Sequence, residues 1–258
     1  MPSSCRLYPL RTSSIRFSMC MGIILKVRNQ DSKGHREPGP AAPRSTLLSK
    51  PMSSRSQIAA HICVLQTPVA PLKGREKVLI QRTASREALA MAAARAGAPG
   101  GPWEQEEEGG RPLPKDGWYW SVTHDAHFVA AVVAQVPVGI DTEQITLRRR
   151  EMIERILDGA ERDLLEGNGE ALAFTRGWCA KEAVLKATGI GIGGLSRCKI
   201  RGREGAELSL CLEGKDWRVI QKRKGKSLFA VTVDTPEVQY DWNETELAFD
   251  PWSEEECE

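Results

Sequence analysis

Residues 117–143 read GWYWSVTHDAHFVAAVVAQVPVGIDTE. The run 117–122 (GWYWSV) is strand-like through its aromatic residues. The run 128–133 (FVAAVV) is apolar throughout and bounded by His127 and Gln135, which suits a strand buried in a sheet. Residues 123–127 then connect two adjacent strands, and 136–140 lead into the end of another. There Asp141 and Glu143 stand two residues apart, so on a strand their carboxylates point the same way. Two carboxylates that close repel each other, and burying them without a counter-charge is costly. A divalent cation removes that cost and prefers oxygen ligands. Taken alone, the pair reads more simply as two solvated acids at an exposed strand end.

Towards the C-terminus, 148–157 and 159–166 have helical patterns, and Asn168 with Gly169 ends the second. Residues 171–187 form the clearest helix, stopped by Thr188 and Gly189. The loop 189–194 (GIGIGG) follows a helix and so lacks the amide-rich helix N-terminus that phosphate loops use; it is a connector. Strands are expected near 199–200, 208–212, 217–221 and 228–233. Towards the N-terminus, a helix covers at least 84–95, and GAPGGP (97–102) breaks it. Residues 58–65 (IAAHICVL) are a strand or a short helix. The predicted class is α+β, with a body over 58–233.

Charge is unevenly spread over the 258 residues. Residues 1–60 hold ten Lys or Arg against Asp31 and Glu37, whereas 234–258 hold ten acids and no Lys or Arg. The body between is nearly neutral, which argues against a nucleic-acid-binding surface there. Residues 1–57 are rich in Ser, Arg and Pro, and read as a disordered or over-extended N-terminus with Met52 as an alternative start; a transit peptide shares that composition. Residues 234–258 read as an acidic, mobile tail. No apolar run reaches the ~20 residues of a membrane helix. Seven cysteines without CxxC spacing suggest neither a disulfide framework nor a zinc site, and fit a reducing cytoplasm.

The second chemical cluster is WCAKEAVLK (178–186). On a helix Trp178, Glu182 and Lys186 share one face, and Lys181 sits beside it. One carboxylate and two ammonium groups could complete a metal site and hold phosphate. Taken singly, an i,i+4 surface pair worth ~0.3–0.5 kcal/mol is the plainer reading. His124, in the connection between two apolar strands, sits at a strand end, where sites are commonly built.

The order SVTH (121–124), VGIDTE (138–143) and FTRGWCAKEAVLK (174–186) resembles the 4′-phosphopantetheinyl transferase superfamily. QRTASREAL (81–89) looks like the Arg-bearing helix of its surfactin- and enterobactin-type members, and GRP (110–112) is similar to their segment before the histidine motif. The resemblance implies two α/β halves related by a pseudo-twofold, about 58–135 and 136–233, with the active site in the cleft between them. It implies a single-chain holo-[acyl-carrier-protein] synthase that moves the phosphopantetheine arm of coenzyme A onto a carrier-protein serine. Asp141, Glu143 and Glu182 would bind Mg²⁺ (or Mn²⁺), with Glu182 also the base. Lys181 and Lys186 would neutralise phosphate, and His124 would hydrogen-bond it. Arg82, Arg86 and Arg111 would hold the adenosine end. Trp178 would pack the helix and shape the pocket. The implied partners are coenzyme A and an apo acyl or peptidyl carrier, with no nucleic acid and no membrane, and the chain would be a monomer. The alternative is a catalytically degenerate module that binds coenzyme A or a carrier.

Overall fold

The computed structural model describes residues 58–67, 74–107, 110–167, 169–235 and 237–252. The reading of 1–57 as a disordered or over-extended segment lies outside these residues. The elements are β1 (Ile58–Gln66), α1 (Gly74–Ala96), β2 (Tyr119–His124), β3 (Phe128–Ala134), β4 (Val138–Gln144), α2 (Arg150–Ile156), α3 (Gly159–Leu164), α4 (Glu170–Thr188), β5 (Lys199–Glu204), β6 (Glu207–Leu212), β7 (Lys215–Lys224), β8 (Ser227–Val233) and β9 (Val238–Trp242). They form two sheets, ordered β2-β3-β1-β9 and β4-β8-β7-β6-β5. The fold is α+β.

The two sheets pack face to face, which explains the unbroken apolar run of β3. Val129, Ala131 and Val133 turn towards α1, while Phe128, Ala130, Val132 and Ala134 turn towards Ile140, Phe229, Val231 and Val233 of the second sheet. Both faces of the strand are therefore dry, and strand alternation has no polar side to display. α1 covers the outer face of the first sheet with Ala88, Leu89, Ala92 and Ala93, spaced as one helical stripe. α4 covers the second sheet, against Leu208, Leu210, Leu228 and Ala230.

Three sequence expectations change. Residues 58–65, left between strand and helix, are the inner strand β1, antiparallel to β3 and parallel to β9. The helix expected over at least 84–95 extends ten residues further, to Gly74, through first turns that are exposed and carry no apolar stripe to reveal them. The tail expected to be mobile over 234–258 instead supplies β9, whose Ile58–Val238 to Ile62–Trp242 register extends the first sheet. Its acids find partners. Asp241 accepts from His61 at 2.7 Å and from Arg95 at 2.6 Å, and Asn243 pairs both backbone groups of Val64 at 2.9 Å. Phe249 then packs edge-on against Phe229 and Trp242. Net charge hid a strand whose alternate residues are apolar. No helix among the described residues is long and apolar enough to cross a membrane.

Candidate active site

A cavity of about 630 Å³ opens where α1, the end of β2, β4 and α4 meet, and Lys77, His124, Asp141, Glu143, Glu182 and Lys186 are among its walls. A second, of about 710 Å³, lies against α2, α3 and the start of α4 and shares only Phe174 with the first. Its titratable residues, Arg150, Arg162, Asp163, Glu166 and Glu170, are all exposed, so it offers no enclosed chemistry.

The first cavity depends on a close approach between β4 and α4. At Gly139 an added Cβ would lie 2.0 Å from the Ala183 carbonyl oxygen and 2.7 Å from the Ala187 nitrogen. Only glycine lets the strand press onto the helix backbone, and this contact brings Asp141 within reach of Lys186. α4 then presents Phe174, Trp178, Glu182 and Lys186 along one i,i+4 stripe to the cavity. Trp178 is buried and stacks on Phe174 at 6.3 Å.

The SVTH segment has a structural task that sequence reading missed. The Ser121 hydroxyl accepts from the Ile140 N–H at 3.3 Å, and the Thr123 hydroxyl accepts from the Thr142 N–H at 3.2 Å. Alternate side chains of β2 thus stitch onto alternate amides of β4, joining the two sheets at the cavity. Thr123 also hydrogen-bonds Asp141 Oδ1 at 3.2 Å, and His124 follows at the cavity wall. The two-residue spacing of the hydroxyls was visible in the sequence; the strand they would meet was not.

Polar satisfaction is uneven here. Lys186 Nζ donates to Asp141 Oδ1 at 2.7 Å and to the Ile140 carbonyl at 3.0 Å. Asp141 Oδ2 and Glu182 Oε1 are buried and have no hydrogen-bond partner among the described residues. Such oxygens are expensive to leave bare, about 1–3 kcal/mol each and more for a charge. Burial, and then the Asp141 charge, push the carboxyls of both Glu143 and Glu182 up to about 7. Burial, and then Lys186, hold His124 below its ordinary value, so at neutral pH it is an uncharged donor. Burial alone would lower Lys186, but Asp141 overrides it and the net shift is upward.

This donor set fits a divalent cation. Three carboxylates share this wall with Lys186 and Arg148, two of their oxygens are left bare among the described residues, and a hard cation would complete them. No three His, Cys, Asp or Glu side chains among the described residues are close enough to make a complete cage. A cation held here would therefore need waters or ligand oxygens to complete its shell.

Other expected site residues lie elsewhere. Lys181 is fully buried on the far side of α4, where Nζ donates to the Ile156 carbonyl at 2.7 Å and pairs with Glu161 at 2.7 Å. One residue is 100° of helix, enough to turn Lys181 from the cavity into the core. Arg82 and Arg86 are exposed on α1 outside the cavity, whose wall takes Lys77, Val78 and Gln81 from that helix. Arg111 is exposed, and its guanidinium lies over Gly189, where a Cβ would come within 2.4 Å of Nε.

Residues 137–233 match the 4′-phosphopantetheinyl transferase superfamily. The matched span begins one residue before β4 and ends with β8, taking in Asp141, Glu143, Glu182 and Lys186. Over this span the chain is similar to that superfamily. Among curated proteins, enterobactin synthase component D of Salmonella typhi is 32% identical over 108 residues, 40% of this chain and 46% of that one. The 4′-phosphopantetheinyl transferase psf-1 of Bacillus pumilus is 35% identical over 121 residues, 43% and 52% respectively. Enterobactin synthase component D of Escherichia coli K12 is 38% identical over 76 residues, 28% and 37%. The chain spans about half the length, or less, of the curated relatives it matches. The matched span thus coincides with the sheet, β4–β8, and the helix, α4, that hold the three carboxylates. The strands and helix before residue 137 supply the opposite wall of the cavity.

Proposed function

We propose that this chain transfers the 4′-phosphopantetheine arm of coenzyme A to a serine of an acyl or peptidyl carrier protein and releases adenosine 3′,5′-bisphosphate. The reading is carried by the orphaned, buried oxygens of Asp141 and Glu182 in the wall of a cavity that also presents Lys186 and a neutral His124. The match of residues 137–233 to the superfamily, and a relative named for this activity, support it.

Asp141, Glu182 and Glu143 would hold Mg²⁺ or Mn²⁺. Bound there, the metal would neutralise pyrophosphate charge and favour departure of the nucleotide. The chain's own residues do the rest. Thr123 and Lys186 fix Asp141 Oδ1, which leaves Oδ2 as its free ligating atom. His124 donates one N–H to a phosphate oxygen. The Glu182 carboxylate, directly or through a water, takes the proton of the attacking serine hydroxyl as the oxygen–phosphorus bond forms and the phosphoanhydride breaks. Lys186, anchored by two hydrogen bonds, keeps one N–H for the charge that develops on the leaving phosphate.

The test is the intact mass of an apo acyl carrier protein incubated with the chain, coenzyme A and Mg²⁺. A gain of about 340 Da that chelator abolishes is the expected result for metal-dependent transfer. No gain across several apo carriers, with coenzyme A still bound, leaves a non-catalytic binding module in its place.

A further inference from the structure

We infer that Arg148 is a coenzyme A-binding residue, whose guanidinium receives the pyrophosphate in the cavity; the inference rests on the function proposed above. Arg148 belongs to a run of three arginines, 148–150, directly ahead of α2. Arg149 and Arg150 are exposed, whereas Arg148 turns inward and lines the cavity. Its Nε is buried without a hydrogen-bond partner among the described residues. Its NH2 lies 3.5 Å from Glu143 Oε2, an ion pair too long for a good hydrogen bond. A guanidinium has five donors in a rigid fork, and this one is turned into a polar cavity with that fork largely unused.

The charges around the cavity leave it that task. Three carboxylates, Asp141, Glu143 and Glu182, face the space, and a polyanion entering it needs cations not already committed. Lys181 is in the core with Glu161. His124 is neutral at pH 7. Lys186 has two of its three N–H groups on Asp141 and Ile140. Lys77 stands exposed on α1. Arg148 is half-buried at the cavity wall, held by one long ion pair to Glu143, and its planar fork matches two phosphate oxygens at once, which lysine cannot do. Adenosine 3′,5′-bisphosphate keeps the nucleotide end of coenzyme A but lacks the second phosphate of the pyrophosphate. A residue that grips the pyrophosphate separates these two ligands; a residue that merely supports the fold does not.

The experiment is calorimetric titration of coenzyme A, and separately of adenosine 3′,5′-bisphosphate, into wild-type chain, Arg148→Ala and Arg148→Lys, each with and without Mg²⁺. Arg148→Ala should weaken coenzyme A by about tenfold or more, and Arg148→Lys by about threefold or more, as expected for loss of a bidentate contact. Both should leave the bisphosphate within about twofold in the same titrations. Thermal melts check that the variants fold; if Arg148→Ala does not, Arg148→Lys decides. Equal losses for both ligands, or no loss for coenzyme A, overturn the assignment of Arg148 while leaving the proposed function in place. A folded wild-type chain that binds no coenzyme A overturns both.

Discussion

Lys181 and Glu182 are neighbours on α4 and both are buried, yet their surroundings are opposite in kind. Around Lys181 every polar group is answered. Its Nζ serves the Ile156 carbonyl and Glu161, Glu161 also accepts from the Ile200 N–H at 2.9 Å, and the Asp158–Glu161 capping box closes the start of α3. Around Glu182 the groups are left open, with bare oxygens on Glu182 and Asp141, two carboxyls raised to about 7 and a cavity in front of them. Buried polar groups in folded proteins are nearly always satisfied. A closed network therefore marks architecture, and an open one marks a place that a ligand completes.

The two sides should break in different ways. The largest effect is expected at the closed one. Lys181→Ala strands the Glu161 carboxylate in the core and should cost about 3–5 kcal/mol of stability. Chemical denaturation measures this, and turnover per folded molecule should change little; a stable but inactive variant would return Lys181 to the chemistry.

At the open side the losses should be in rate. Asp141→Ala and Glu182→Ala should each lower carrier modification at least ~100-fold, as removal of a major electrostatic group does, and Glu182→Ala should do so without a reduced melting temperature. Wild-type-like rates in Asp141→Ala would remove the metal site from the proposal.

A smaller effect follows from the raised carboxyls. Burial and the Asp141 charge push the Glu182 carboxyl up to about 7 in the folded chain from its ordinary 4.5, so the folded state keeps a proton that the unfolded chain gives up between those values. Metal-free stability should therefore fall as pH rises from about 4.5 to 7 and stay low above it. Glu182→Gln removes that penalty, so without metal it should melt several degrees above wild type at pH 8 and show little advantage at pH 4.5. Added Mg²⁺ should raise the melting temperature of wild type more than that of the variant. An advantage of the same size at both pH values would separate the effect from ionisation.

The smallest effect is expected at Arg82 and Arg86. Both are exposed outside the cavity, so alanine at either should change the KM for coenzyme A less than about threefold, the range of an exposed charge. A tenfold rise would bring α1's outer face back to the ligand.

Much of this could be read from residue order. The buried strand at 128–133, the carboxylate spacing at 141 and 143, and the stripe 178–182–186 are local facts, set by a period of two on strands and about 3.6 on helices. They gave the α+β class and brought the three acids and Lys186 to notice. What local reading missed depends on partners far along the chain. The strand at 238–242 looked like an acidic tail because its acids are matched by His61 and Arg95, well over a hundred residues earlier. Ser121 and Thr123 looked incidental because the amides they meet belong to another sheet. Arg148 looked like no more than the start of a helical pattern, because nothing in LRRRE tells which arginine turns inward.

The sequence by itself therefore determined the class of fold and the inventory of acids and bases, since periodicity and residue chemistry are carried by neighbours along the chain. Tertiary structure alone decided which of those groups share a space. Lys181 and Glu182 differ by one position and 100° of helix, and only packing against α2, α3 and β5 on one side and β4 on the other makes one of them a brace and leaves the other open. Burial turns that direction into energy, because away from water a polar group must find a partner or wait for one.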